Sequence, residues 1–169
     1  KGAQLAEMTS LGLPVPAGFT VTTEACREYY RLGRQYPEGL WPQVESAVAE
    51  LETATGLRLG DPMNPLLVSV RSGAAISMPG MMDTILNLGI GPEVVQGIAR
   101  TTGNEQFALD LQRRFIQMFG NVALGIRDAA FEQVVEQHRQ QAGVERVVDL
   151  SAEALREIVA TFQGIVGAS

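Results

Sequence analysis

Cysteine and histidine occur once each in 169 residues. A single cysteine, Cys26, excludes an internal disulfide framework and is consistent with a reducing compartment. One cysteine and one histidine cannot assemble a zinc site. His138 has no serine or cysteine elbow nearby in sequence, so a histidine-based triad lacks a nucleophile. The phosphate-binding pattern G-x-x-x-x-G-K-[ST] is absent, and so is G-x-G-x-x-G. No stretch approaches the roughly 20 apolar residues that span a bilayer, and no secretory signal is visible, so no membrane partner is expected. Basic residues are the minority, with Lys plus Arg 13 against Asp plus Glu 19 and a net charge of −6. That balance argues against a bulk nucleic-acid partner. It leaves room for a nucleotide, because a few local cations suffice to hold phosphates.

What is present is a core-forming composition: hydrophobic residues make up 46% of the chain. That is enough to pack one domain or two small lobes. Leu5, Met8 and Leu11 form a strip over a short helix that Gly12 ends. Two prolines fix Leu13 to Gly18 as an extended turn. Phe19 to Thr22 alternates like a strand, and Thr23 then caps a helix to about Leu32. Pro42 opens another helix, with Val44, Ala47, Val48 and Leu51 on one face and Gly56 at its end. Leu66 to Arg71 and Thr84 to Leu88 read as short buried strands. In the first, period-2 geometry puts Leu67, Ser69 and Arg71 on one face and Leu66, Val68 and Val70 on the other.

Beyond Gly91 the pattern is helical. Segments 93–100, 104–119, 130–141 and 152–166 carry helical spacing. Phe107, Leu111, Phe115 and Met118 form one stripe, and Phe131, Val134 and Val135 a second. Leu155, Ile158, Val159, Phe162 and Val166 form a third. These stripes read as helix packing. His138 continues the second stripe as a helix residue, and Cys26, beside Tyr29 and Tyr30, is expected in a core. The fold class is therefore α+β: an α/β lobe over 1–90 and an all-helical subdomain over 91–169. The chain opens at Lys1 without a methionine and stops at Gly-Ala-Ser after a helical pattern, which reads as a piece of a longer protein.

The segment that carries chemistry runs from Ser69 to Thr84. An arginine, Arg71, closes a strand expected to be buried, which is costly unless the guanidinium meets an anion or a fixed partner. A loop of small residues follows, with Gly73 and Gly80 allowing close backbone approach. Such loops can present N–H groups to phosphate. Met78, Met81 and Met82 add adaptable apolar contacts suited to a flat ring. Spacing alone leaves two readings level: a nucleotide loop, or a tight turn with an Arg–carboxylate pair.

Ser-Val-Arg-Ser-Gly, followed by Ser-Met-Pro-Gly-Met-Met-Asp-Thr-Ile-Leu-Asn-Leu-Gly, resembles the signature of the pyruvate, phosphate dikinase family. Lys1-Gly2-Ala3-x-Leu5 is similar to that family's opening motif, and Leu13-Pro14-Val15-Pro16-x-Gly18-Phe19 to a turn of the wider superfamily. The resemblance is strong over about residues 1–90 and weaker over the helical half. Phosphoenolpyruvate synthases share the lysine, the turn and the Val-Arg-Ser step, but continue with an acidic segment where this chain has Met-Pro-Gly-Met-Met-Asp.

The resemblance implies an ATP-grasp-type nucleotide-binding domain, of which this chain is the N-terminal part. It implies an enzyme interconverting ATP, phosphate and pyruvate with AMP, diphosphate and phosphoenolpyruvate. A phosphohistidine domain and a pyruvate-binding barrel lie elsewhere on the full-length chain, which is expected to be a cytoplasmic homodimer. Lys1 and Arg71 match the family's ATP-contacting lysine and arginine, with Arg71 also the catalytic residue. Met81, Met82, Asp83 and Thr84 match its mobile loop beside the nucleotide. Asp83 can face magnesium or hold the loop through a backbone hydrogen bond, and the second is favoured. Mg2+ ligands are expected outside this chain, no metal ligand within it, and the isolated piece is expected to be inactive. A non-catalytic nucleotide-binding module is the alternative of a different class.

Overall fold

The computed structural model describes residues 2–73 and 84–169. Seven α-helices and two β-strands appear among them, with one short 3-10 turn before the last helix. The described residues divide into two compact units, 2–57 with 72–73, and 58–71 with 84–169. The expected boundary at 89–92 falls inside the second unit, as the turn between a strand and a helix.

The first unit holds α1 (Gly2–Ser10), α2 (Thr23–Arg31) and α3 (Leu40–Thr55). Thr22 caps α2, its hydroxyl accepting from the Ala25 N–H, so the cap sits one residue earlier than Thr23. Gly56 ends α3 in a left-handed conformation, φ 71°, and returns its N–H to the Glu52 carbonyl. Val44, Ala47, Val48 and Leu51 are half-buried, as their spacing predicts. The strand expected over Phe19 to Thr22 is not formed; the segment has no regular secondary structure. A strand needs a partner for its N–H and C=O groups, and the only strands among the described residues pair with each other. None of the three helices buries a residue fully. Cys26 is exposed rather than in a core, for the same reason.

The second unit is built round one core. It contains β1 (Val68–Val70), β2 (Ile85–Leu88), α4 (Pro92–Thr102), α5 (Glu105–Val122), α6 (Asp128–Ala142) and α7 (Ala152–Gly167). Asn104 caps α5 by accepting from the Phe107 N–H, and Ser151 caps α7 by accepting from Ala154. Pro92 occupies the first turn of α4, where its missing N–H costs nothing. α5 packs against α4, α7 and β2 and is the central element. Val94, Val95, Leu109, Ile116, Phe131, Leu150, Leu155, Ile158, Val159 and Phe162 form a contiguous buried cluster. Each contributes on the order of 1.5–3 kcal/mol of burial. The Phe131 and Phe162 rings meet edge to face with centroids 4.8 Å apart.

The α5 stripe expected from sequence is displaced. Ala108, Leu109, Gln112, Arg113, Ile116 and Gly120 are the buried residues, and Phe107 is 48% exposed. Leu111 and Phe115 pack at the margin of the core. A helix clasped by α4 on one side and α7 on the other buries the arc between its two neighbours, and that arc takes in small and polar residues beside Leu109 and Ile116. Gly120 shows why: a Cβ there would lie 2.5 Å from Phe131 Cζ.

Candidate functional site

β1 and β2 pair antiparallel, so the hairpin they make brings residues 71 and 84 together as the two ends of the loop between them. Val68 faces Leu88, but Val70 faces Ile85. One residue of β1, Ser69, therefore stands opposite two of β2, Leu86 and Asn87, which is a β-bulge. Asn87 has φ 59°, one of only two non-glycine residues with positive φ among the described residues. Asparagine tolerates the left-handed region better than other side chains, which fits the position.

The hairpin is braced from behind. The Ile90 N–H donates to the Asn87 carbonyl at 3.2 Å, tightening the turn out of β2. Gly89 follows with φ 109°, and a Cβ there would lie 2.7 Å from the Leu66 carbonyl. The chain before β1 folds back on itself: Leu66 donates to the Arg58 carbonyl at 2.7 Å, and Arg58 to Asn64 at 2.9 Å. The Asp61 carboxylate accepts from the Met63 N–H at 2.7 Å, closing the turn. This loop rests on α4, where Pro62 sits so close to Gly97 that a Cβ there would lie 1.7 Å from the Pro62 carbonyl. Leu66 and Ile85 are buried, and Leu67 packs against the helical core. The base of the hairpin is thus packed on the helices of the second unit.

Of the residues singled out from sequence, Arg71 and Thr84 are described; Lys1, Met81, Met82 and Asp83 lie outside the described residues. Arg71 follows β1 and is exposed; Thr84 precedes β2 and is half-buried. Burial fades along β1 from Leu66 to an exposed Val70 instead of alternating. The expectation of a buried strand closed by a costly arginine is therefore corrected. Arg71 stands at an open strand end, where its guanidinium pays no burial penalty and is available to an anion. No ion pair involving Arg71 is formed among the described residues.

Sequence reading missed a polar network between α5 and α6. Arg113, buried, donates through Nε to Asp110 at 2.8 Å and through an Nη to Gln117 at 3.0 Å. Gln117 donates on to Asp128 at 2.7 Å. The i, i+3 and i, i+4 spacings of Asp110, Arg113 and Arg114 were the available signal. A cleft of about 550 Å³ opens beside it, lined in part by Glu132, Glu136 and Arg139. Both signs of charge line it, and Arg113 is committed to Asp110, so it has no net preference for an anion. His138 is a partly buried helix residue, as expected: Nδ1 donates to the Val134 carbonyl at 2.8 Å and Nε2 lies 3.5 Å from Glu157.

Among the described residues, no group of three or more histidine, cysteine, aspartate or glutamate side chains is placed to hold a metal ion. No helix among them is long and apolar enough to cross a membrane.

No protein-family model matches the chain. Whole proteins do. It is 51% identical over 165 residues to "Pyruvate, phosphate dikinase 1, chloroplastic" of Arabidopsis thaliana, an overlap of 98% of this chain and 17% of that protein. It is 49% identical over 165 residues to "Pyruvate, phosphate dikinase" of Clostridium symbiosum, covering 98% of this chain and 19% of the relative. To "Pyruvate, phosphate dikinase 2" of Zea mays it is 50% identical, again over 98% of this chain and 19% of the relative. The chain thus spans less than a fifth of the curated relatives it matches. The matched 165 residues are 98% of the chain, for a plant and for a bacterial relative. Nearly all of this chain is thus matched, at about half identity, by one part of each of these pyruvate, phosphate dikinases.

Proposed function

We propose that this chain is the N-terminal, ATP-contacting part of a pyruvate, phosphate dikinase of ATP-grasp type. The full-length protein would interconvert ATP, phosphate and pyruvate with AMP, diphosphate and phosphoenolpyruvate, by way of a phosphohistidine on another domain. The observation that carries this is the near-complete match of the chain to dikinases at 49–51% identity. The open position of Arg71 supports it at the level of chemistry. A planar guanidinium at an exposed strand end can bind two phosphate oxygens at once, and Lys1 would add a point charge. Both would stabilise charge on the transferring group, the main demand of phosphoryl transfer. Met81, Met82, Asp83 and Thr84 would border the nucleotide.

Magnesium does not fit the described residues, which offer no cluster of carboxylates to hold it. Its ligands, the phosphohistidine and the pyruvate site belong to the remainder of the full-length protein in this reading, and the chain alone would not turn over. A homodimer formed by those other domains, and a cytoplasmic location, complete the proposal. The Arabidopsis thaliana relative is named chloroplastic and the Zea mays one is not.

The test is a product assay on the full-length protein. Phosphoenolpyruvate should form only when ATP, pyruvate and phosphate are all supplied. Turnover without phosphate would point to the synthase reaction instead. Arg71→Ala should lower the ATP half-reaction on the order of 10²- to 10³-fold, as loss of other transition-state donors does. Pyruvate–phosphoenolpyruvate exchange should persist. Survival of both half-reactions would make Arg71 structural.

A further inference from the structure

The bulge in β2 decides which residue faces Arg71. Starting from the Val68–Leu88 pair, an unbroken antiparallel ladder would set Val70 opposite Leu86 and Arg71 opposite Ile85. The observed ladder has slipped by one, so that Val70 faces Ile85. Continued one step, the same register sets Arg71 opposite Thr84. A one-residue slip turns every side chain of the following strand to the other face. It therefore decides whether the buried Ile85 or the half-buried Thr84 lies across from the guanidinium.

The slip is absorbed at the two residues opposite Ser69, of which Asn87 takes the left-handed backbone, φ 59°. Its neighbours allow little alternative. Leu88 is fixed by its pairing with Val68, and Gly89 is pressed against the Leu66 carbonyl. The Asn87 carbonyl also receives the Ile90 N–H, which ties this conformation to the entry of α4. Bulges of this kind re-aim side chains beside active sites.

We propose that Asn87 is a positioning residue for the ATP site. Its left-handed backbone holds the bulge that keeps Ile85 in the core and sets Arg71 across from Thr84. Asn87 acts through Arg71, so the inference rests on the proposed role of Arg71 in the ATP half-reaction. What matters at position 87 is tolerance of positive φ, and the amide side chain is secondary. Glycine adopts that region freely, alanine with strain, and β-branched valine worst of all.

The experiment compares Asn87→Gly, Asn87→Ala and Asn87→Val in the full-length dikinase, with Arg71→Ala alongside. The ATP half-reaction, in which ATP, phosphate and the histidine give AMP, diphosphate and phosphohistidine, is followed by ATP–AMP isotope exchange, with kcat and KM for ATP separated. Pyruvate–phosphoenolpyruvate exchange and far-UV circular dichroism check the rest of the molecule. Asn87→Gly should stay within about threefold of the parent. Asn87→Ala and then Asn87→Val should lose about tenfold to a hundredfold in kcat/KM for the ATP half-reaction, the scale of an ångström's misplacement at a reacting centre. Exchange should be spared in all three. Should Asn87→Val fail to fold, the Gly and Ala variants alone give the ordering. Equal damage from Gly and Val, or full ATP activity in Ala and Val while Arg71→Ala is inactive, overturns the positioning role and leaves the ATP-site reading standing. An Arg71→Ala enzyme with an intact ATP half-reaction overturns that reading and this inference with it.

Discussion

Two glycine-to-alanine substitutions in the second unit should change stability in opposite directions, and the contrast tests how the hairpin is braced. Both glycines are helical, Gly97 in α4 and Gly164 in α7. By intrinsic propensity alone, each replacement should stabilise its helix by about 1 kcal/mol. At Gly164 nothing lies within 4 Å of the added Cβ, so the gain should be realised. At Gly97 the Cβ would lie 1.7 Å from the Pro62 carbonyl oxygen and 2.9 Å from Pro62 Cα, all backbone atoms. That carbonyl must retreat by more than an ångström, and it belongs to the loop tied to Leu66 through Arg58. An overlap this deep with backbone atoms falls in the upper part of the overpacking range, about 2–3 kcal/mol, which exceeds the propensity gain. The net effect expected is a loss of about 1–2 kcal/mol for Gly97→Ala, by difference of those two terms. For a chain of this size that is a fall in Tm of roughly 2–8 °C, against a rise of about 2–4 °C for Gly164→Ala. Thermal unfolding followed by far-UV circular dichroism reads both on the same material. If Gly97→Ala proves as stabilising as Gly164→Ala, the loop is not seated on α4 as described, and the bracing argument fails.

Two further expectations concern the whole chain. The helices of the first unit bury no residue fully while the second unit has a contiguous core, so amides of α1–α3 should exchange well before those of α5 and α7; equal protection would refute the difference in packing. Hydrogen bonding from Arg146 holds the Asp149 carboxyl below its ordinary value, and the same contact raises Arg146. A carboxyl depressed in the folded state contributes stability that is complete above its unfolded value of about 3.8 and is lost as pH falls through the folded value. Asp149→Asn should therefore be less stable than the parent near neutrality, and the gap should close in acid; a gap that widens on acidification would show that the pair does not form.

The sequence reached the hairpin through local signals. A run of β-prone residues ending in Arg71, small residues, then Thr84 to Leu88 is legible because strand and turn preferences act within a few residues. The helices of the second unit were legible for the same reason, down to Phe131, Leu155, Ile158, Val159 and Phe162 as core residues. Errors arose where neighbours distant in sequence decide. Phe19 to Thr22 has strand propensity but no partner strand. Cys26 looks like a core residue until its helix turns out to bury nothing. The α5 stripe follows apolar residues, whereas the buried arc is set by where α4 and α7 press, and it takes in Gln112 and Arg113.

The sequence by itself determined the family resemblance, the helices and hairpin of the second unit, and Arg71 and Thr84 as the loop's ends, because these signals are read residue by residue. Only the tertiary structure decided that Arg71 stands open instead of buried, and that a bulge opposite Ser69 shifts the register of the strands before it. Register and burial are properties of two chain segments meeting, and neither segment carries them alone.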